Sequence, residues 1–217
     1  MARVYDHNRM RRVASAFAML VLTGCGGAQE METRTGNTTA QPTLGVLPST
    51  HVPKEELSDH MRLGWDLASS AMLIEMPMVP TRHDGATLTR WAEHDLGDWL
   101  QRMSEALTAA SVELNAAANE DPLERVYAGA IVGVIYESVA QQLLWLPTPS
   151  ELEREPEIAA AYRDILAFNA APYLERSRAG YHACAANAEI HAEELGPNWA
   201  TFCSGRMRLL PRARGTE

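Results

Sequence analysis

Val126 to Tyr136, VYAGAIVGVIY, holds no charged side chain. As a helix it is apolar on every face, and such a helix has to be covered on all sides. It is too short to cross a bilayer, which takes about 20 apolar residues, and Glu137 interrupts it. The run therefore predicts a central helix, about Pro122 to Trp145, wrapped by others. Gly129 and Gly133 stand four apart and share one face of it. Without a Cβ they admit a neighbouring helix closely, at some cost in helix propensity. Space left open beside them would instead make a cavity for a small ligand.

The flanking sequence supplies the wrapping. Leu57, Met61, Trp65, Ala68 and Met72 recur at threes and fours and predict a helix from about Lys54 to Glu75. Pro77 and Pro80 end it. After the turn signal Asp84-Gly85, an apolar stripe through Leu88, Leu96, Trp99, Met103, Leu107, Ala110 and Leu114 predicts a long helix, about Ala86 to Ala118. Asp121-Pro122 starts the central helix, with proline at its first position. Pro147 and Pro149 stop it. Ser150 with Glu153 has the spacing of a capping box for one short turn. A helix follows from about Glu157 to Ala170, and Pro172 either kinks it or starts another to about Glu193. Gly196-Pro197 turns the chain into a last short helix with Trp199, Phe202, Cys203 and Met207, and a basic frayed tail from Arg206. Alternating strand patterns are missing. The expected fold is all-α, five or six helices in one bundle or stacked helical hairpins over residues 54–210, with 211–217 a disordered tail.

The N-terminus is of another kind. Arg9, Arg11 and Arg12 precede an almost wholly apolar run, Val13 to Leu22, and small residues then surround Cys25. A basic start, a short apolar stretch and a cleavage site are the layout of a secretory signal. Met10-Arg11-Arg12 is a cleaner start than Met1, because Asp6 and His7 are unusual in such a region. Leu22-Thr23-Gly24-Cys25 resembles the lipobox of bacterial lipoproteins, matching at all four positions. The resemblance implies a diacylglycerol thioether on Cys25, cleavage between Gly24 and Cys25, and often acylation, palmitate for instance, of the new amino group. One acyl chain holds a protein marginally at a membrane; two or three hold it firmly. Residues 1–24 are then the signal peptide. Residues 25–53, rich in Gly, Thr, Asn and Pro, are expected to be a lipidated, disordered tether. Gly26 is not the Asp that favours inner-membrane retention in enterobacterial lipoproteins. That implies the outer membrane, facing the periplasm.

Charge narrows the partners. The chain carries a formal −9, and residues 1–24 hold four arginines against one aspartate, so from Cys25 onward it is near −12. That argues against nucleic acid as a partner, since phosphate neutralisation needs clustered Lys and Arg. It also argues against a polybasic grip on anionic lipid.

With Cys25 lipidated, Cys184 and Cys203 remain, an even number in an exported chain, and one disulfide is expected. Zinc on His182, Cys184, His191 and Cys203 is the alternative, with the right residue types but poor spacing. His83-Asp84 and His94-Asp95 resemble the His-Asp pairs of metal-dependent phosphohydrolases, with His60 as a possible addition. The plainer reading makes Asp84 a helix cap and His94 a surface residue. Glu137, if buried, could serve as an acid; Ser138, Gln141 and Gln142 beside it suggest a polar edge instead. No phosphate loop, GxSxG elbow or haem motif is present. No catalytic residue, metal or cofactor is assigned beyond the acyl groups on Cys25. The expected function is that of a membrane-anchored envelope lipoprotein, a non-enzymatic interaction or scaffold module with an envelope protein partner. The alternative is a periplasmic enzyme or metal-binding domain using His and Glu residues.

Overall fold

A computed structural model describes residues 44–80 and 85–211. The chain is all-α, with no strand among the described residues. Helix α1 is Asp59–Ala71. Three abutting pieces form α2: Gly85–Arg90, a π-wound turn Trp91–Leu96, and Gly97–Glu120. Then come α3 (Pro122–Leu144), one turn α4 (Ser150–Glu153), and α5 (Pro156–Ile190). The turn α6 (Ala192–Leu195) and α7 (Asn198–Leu209) complete the fold. Each long helix packs on its sequence neighbour: α1 on α2, α2 on α3, α3 on α5, α5 on α7.

The central position of α3 follows from its composition. Val126, Tyr127, Ala130, Ile131 and Val134 are all fully buried, and only Pro122 and Arg125, near the start of the helix, are exposed. Asp121 caps it by accepting hydrogen bonds from the backbone of Leu123 and Glu124, and Pro122 occupies its first turn. The closest packing is against α5, through glycines on both sides. A Cβ on Gly180 would lie 2.7 Å from the Gly133 nitrogen and 2.8 Å from the Gly129 oxygen. A Cβ on Gly133 would lie 2.5 Å from the Tyr181 ring. Ser177 Oγ donates to the Gly133 carbonyl at 2.8 Å across the same contact. The space beside Gly129 and Gly133 is therefore filled by α5, and the ligand cavity considered from the sequence is not formed there.

Several boundaries differ from expectation. The first helix starts at Asp59, not Lys54: Lys54–Glu56 is a separate 3₁₀ turn and Leu57 is extended. Ser58 caps α1, accepting from the Met61 nitrogen at 3.1 Å. Its own backbone nitrogen and hydroxyl donate to the buried Glu124 carboxylate at 2.6 and 2.5 Å. A tertiary partner thus sets this helix start. Ser150 and Glu153 make no capping box; the Ser150 hydroxyl donates to Glu151, inside the turn. Pro172 neither ends nor starts a helix, and α5 runs through it for 35 residues. Proline removes the hydrogen bond to the Phe168 carbonyl, but Phe168 is on the exposed side, where water can take its place. Arg206 belongs to α7, not to a frayed tail, and Leu210 is buried. Residues 212–217 lie outside the described residues.

The tether was expected to reach residue 53, but residues 44–53 lie against the domain. Leu44, Leu47 and Val52 pack on the core. Trp199 Nε1 donates to the Ser49 carbonyl at 3.2 Å. The His51 backbone nitrogen donates to the Tyr127 hydroxyl at 3.2 Å, and the His51 ring also hydrogen-bonds that hydroxyl. The Tyr127 and Trp199 rings are 4.8 Å apart. The strap thus crosses the start of α3 and of α7, covering aromatics that would otherwise be wet.

Candidate functional site

Cys25, with Gly24 and the rest of residues 1–43, lies outside the described residues, as do His83 and Asp84. Of the candidates that are described, Cys184, Cys203 and Glu137 gather where α3, α5 and α7 meet.

Cys184 on α5 and Cys203 on α7 are both fully buried, and their sulfurs lie at bonding distance, 1.99 Å, with Cα atoms 6.1 Å apart. The pair ties the last helix to the longest one. It also removes both sulfurs from the zinc set. His182 is exposed on a different face of α5, and His191 lies 3.5 Å from Glu194. Among the described residues no group of three or more His, Cys, Asp or Glu could hold a metal ion. His94 and Asp95 are exposed side chains on the π turn.

Three residues from the cysteines on α5 and α7, Tyr181 and Arg206 meet Glu137 of α3, which is only 2% exposed. Its Oε1 accepts from Arg206 at 2.6 Å and from Gln141 Nε2 at 2.8 Å. Its Oε2 accepts from the Tyr181 hydroxyl at 2.6 Å and from Arg206 Nε at 3.1 Å. Four donors meet the four lone-pair positions of a carboxylate, and the Arg206 contact is bidentate. Burial pushes the Tyr181 phenol far up, and the charge and hydrogen bond of Glu137 push it further, against a smaller opposing effect of Arg206. Burial pulls the Arg206 guanidinium down, but its hydrogen bonds to Glu137 and Tyr181 outweigh that and the net shift is upward. Tyr181 therefore stays protonated and Arg206 stays charged. With every lone pair taken, Glu137 has no position left to receive a substrate proton. The cluster is a closed structural ion pair, and the acid role considered for Glu137 has no geometry behind it.

Sequence reasoning placed Glu137 and the cysteines but missed Arg206 and Tyr181 as partners, which stand 69 and 44 residues away. The usable signal was the carboxylate itself: a charge in the most apolar helix demands a cation. Nothing in the spacing says which arginine. Glu124 was missed in the same way.

His60 is a surface tie. Its Nδ1 lies 2.7 Å from Glu113 and its Nε2 lies 3.7 Å from Glu120, joining α1 to α2. Its pKa is raised above 6.5, chiefly by the hydrogen bond to Glu113, against a smaller lowering by desolvation. Trp91 Nε1, at the start of the π turn, is buried without a hydrogen-bond partner among the described residues.

Searches against protein-family models, curated proteins and solved structures find no match to this chain.

Proposed function

We propose that the chain is a lipid-anchored protein of the bacterial cell envelope whose helical domain is a non-enzymatic interaction module. The observation that carries this reading is Leu22-Thr23-Gly24-Cys25 directly after the apolar run Val13 to Leu22. The signal peptide is removed before Cys25, which takes a diacylglycerol and an amino-terminal acyl chain; together they hold the protein firmly. The outer membrane, on its periplasmic side, is the proposed location. The cysteine pair suits an oxidising compartment. No described helix is long and apolar enough to cross a membrane, so the acyl chains supply the anchor in this reading. Eighteen residues separate Cys25 from Leu44. Fully extended they span at most about 60 Å, which bounds how far from the bilayer the domain can work.

In this reading the polar centre is structural, since Glu137, Tyr181 and Arg206 satisfy one another, and the partner envisaged is another envelope protein meeting an acidic surface. The anchor is tested by expressing the chain in a bacterium fed labelled palmitate and sequencing its mature N-terminus. Label on the wild type and none on Cys25→Ser is the expected result. An unlabelled wild type, or a mature chain that keeps residues 1–24, would overturn the reading. Cross-linking in native membranes, followed by mass spectrometry, tests for the partner.

A further inference from the structure

Residues 44–53 lie on the domain as a bound peptide would. The strap holds no Asp, Glu, Lys or Arg, in a chain with 22% charged residues. Pro48 and Pro53 fix their own φ and push Leu47 and Val52 toward extended backbone. Pro53 itself is at φ −57° and ψ 150°, close to polyproline II. Beneath the strap, Tyr127 and Trp199 are 0% and 1% exposed. Their polar tips hold its main chain: the Trp199 indole donates to the Ser49 carbonyl, and the Tyr127 hydroxyl accepts from the His51 backbone nitrogen. Contacts to main chain do not depend on which side chains the segment carries. Aromatic grooves that recognise extended, proline-containing segments use the same preformed backbone.

We propose that the groove over Tyr127 and Trp199 is a docking site for an extended, uncharged, proline-containing segment of a partner protein, and that residues 44–53 are its occupant in cis, displaced when the partner binds. The strap is held lightly enough for that. Leu44, Leu47, Pro48, Thr50 and Val52 are only half-buried. Along the described chain the first buried side chain is Leu57. Ser58, next to it, is fixed by two hydrogen bonds to the Glu124 carboxylate. The strap can therefore lift as far as Leu57 while α1 keeps its cap and its place, a local opening well short of global unfolding. An incoming main chain offers the same carbonyl and N–H, so the indole and the phenol are satisfied in either state. The groove gives the interaction module proposed above its surface, and in that sense rests on that reading, but it does not need the lipid anchor.

The test uses the mature chain with Cys25→Ser. In the wild-type strap, hydrogen exchange followed by NMR should show the Trp199 indole N–H exchanging at least about tenfold faster than the Ile131 amide of α3. Equal rates, meaning that the strap leaves only when the core unfolds, overturn the proposal. The second probe is a fluorescent peptide of residues 44–53. Because the strap is seated in cis, the Kd of the free peptide lies below its effective concentration, on the order of millimolar. Titrated to about 5 mM, the peptide should bind Leu44→Ser/Leu47→Ser, whose own strap is unseated, about tenfold more tightly than the wild type. The same peptide with glycine at both prolines should bind more weakly. No binding to the variant, equal binding to variant and wild type, or indifference to the prolines counts against the docking site. A wild type that sediments as a dimer, lost in Leu44→Ser/Leu47→Ser, would assign the groove to the strap of a second copy and likewise overturn it. None of these results bears on palmitate labelling of Cys25, so the groove and the anchor fail separately.

Discussion

Gly180→Ala is the sharpest test of how α3 and α5 pack. Alanine is the better helix former by about 1 kcal/mol, so helix propensity alone expects a gain. The structure expects a loss. The new Cβ would stand 2.7 Å from the Gly133 nitrogen and 2.8 Å from the Gly129 oxygen, both backbone atoms. No side chain can rotate away, so the helices must part by roughly 0.6 Å to reach ordinary contact. Overpacking of this kind costs about 1–3 kcal/mol. The Ser177 bond to Gly133, now 2.8 Å, would stretch and lose about 1 kcal/mol. After the propensity gain, the net loss is about 2 kcal/mol, a fall in Tm of roughly 4–8 °C for a domain of this size. Gly205→Ala is the control. It sits in α7, where an added Cβ meets nothing within 4 Å, and it should stabilise by about 0.5–1 kcal/mol. Urea and thermal unfolding followed by circular dichroism would read both. If Gly180→Ala matches or exceeds the wild type, the close approach is wrong.

Three further outcomes are expected. Replacing both Cys184 and Cys203 by alanine opens a loop of 19 residues and should cost about 3 kcal/mol; a shift in urea midpoint worth less than 1 kcal/mol would contradict the tie between α5 and α7. Arg206→Met leaves the Glu137 carboxylate buried without its cation and should cost about 3 kcal/mol. Glu137→Leu/Arg206→Met should be less damaging than the single change, and a double variant that loses the sum of both singles would refute the pairing. His60 should titrate above 6.5 in an NMR pH series and move down in Glu113→Gln. Because its pKa is higher in the fold, the stability it contributes is complete below the ordinary histidine value and fades as pH rises through the folded one. A ring titrating at or below 6.5, or indifferent to Glu113→Gln, would rule out the contact.

Much of the helical framework was legible because it is written in local signals. The apolar stripe of α2, Pro122 at the first turn of α3 and the turn at Gly196 (the one positive φ among the described residues, 68°) each depend on residues within a few positions. The misreadings share a cause. Lys54 to Leu57 has helical periodicity, yet α1 begins after Ser58, which Glu124 holds from 66 residues away. Pro172 looked like a boundary, yet tertiary packing along α5 outweighs one missing hydrogen bond. Residues 44–53 looked like linker because they are short of apolar bulk. Three side chains, Leu44, Leu47 and Val52, were enough to seat them on aromatics they could not reveal.

By itself the sequence determined the helical class and the central place of α3. Both rest on composition or periodicity, which act over one or two turns of chain. Only the tertiary structure decided that Gly129 and Gly133 admit Gly180 and Tyr181 instead of a ligand. It alone gave Glu137 its arginine. Such pairings depend on which helix faces meet, and that is set by the packing of the whole core rather than by any neighbouring residue.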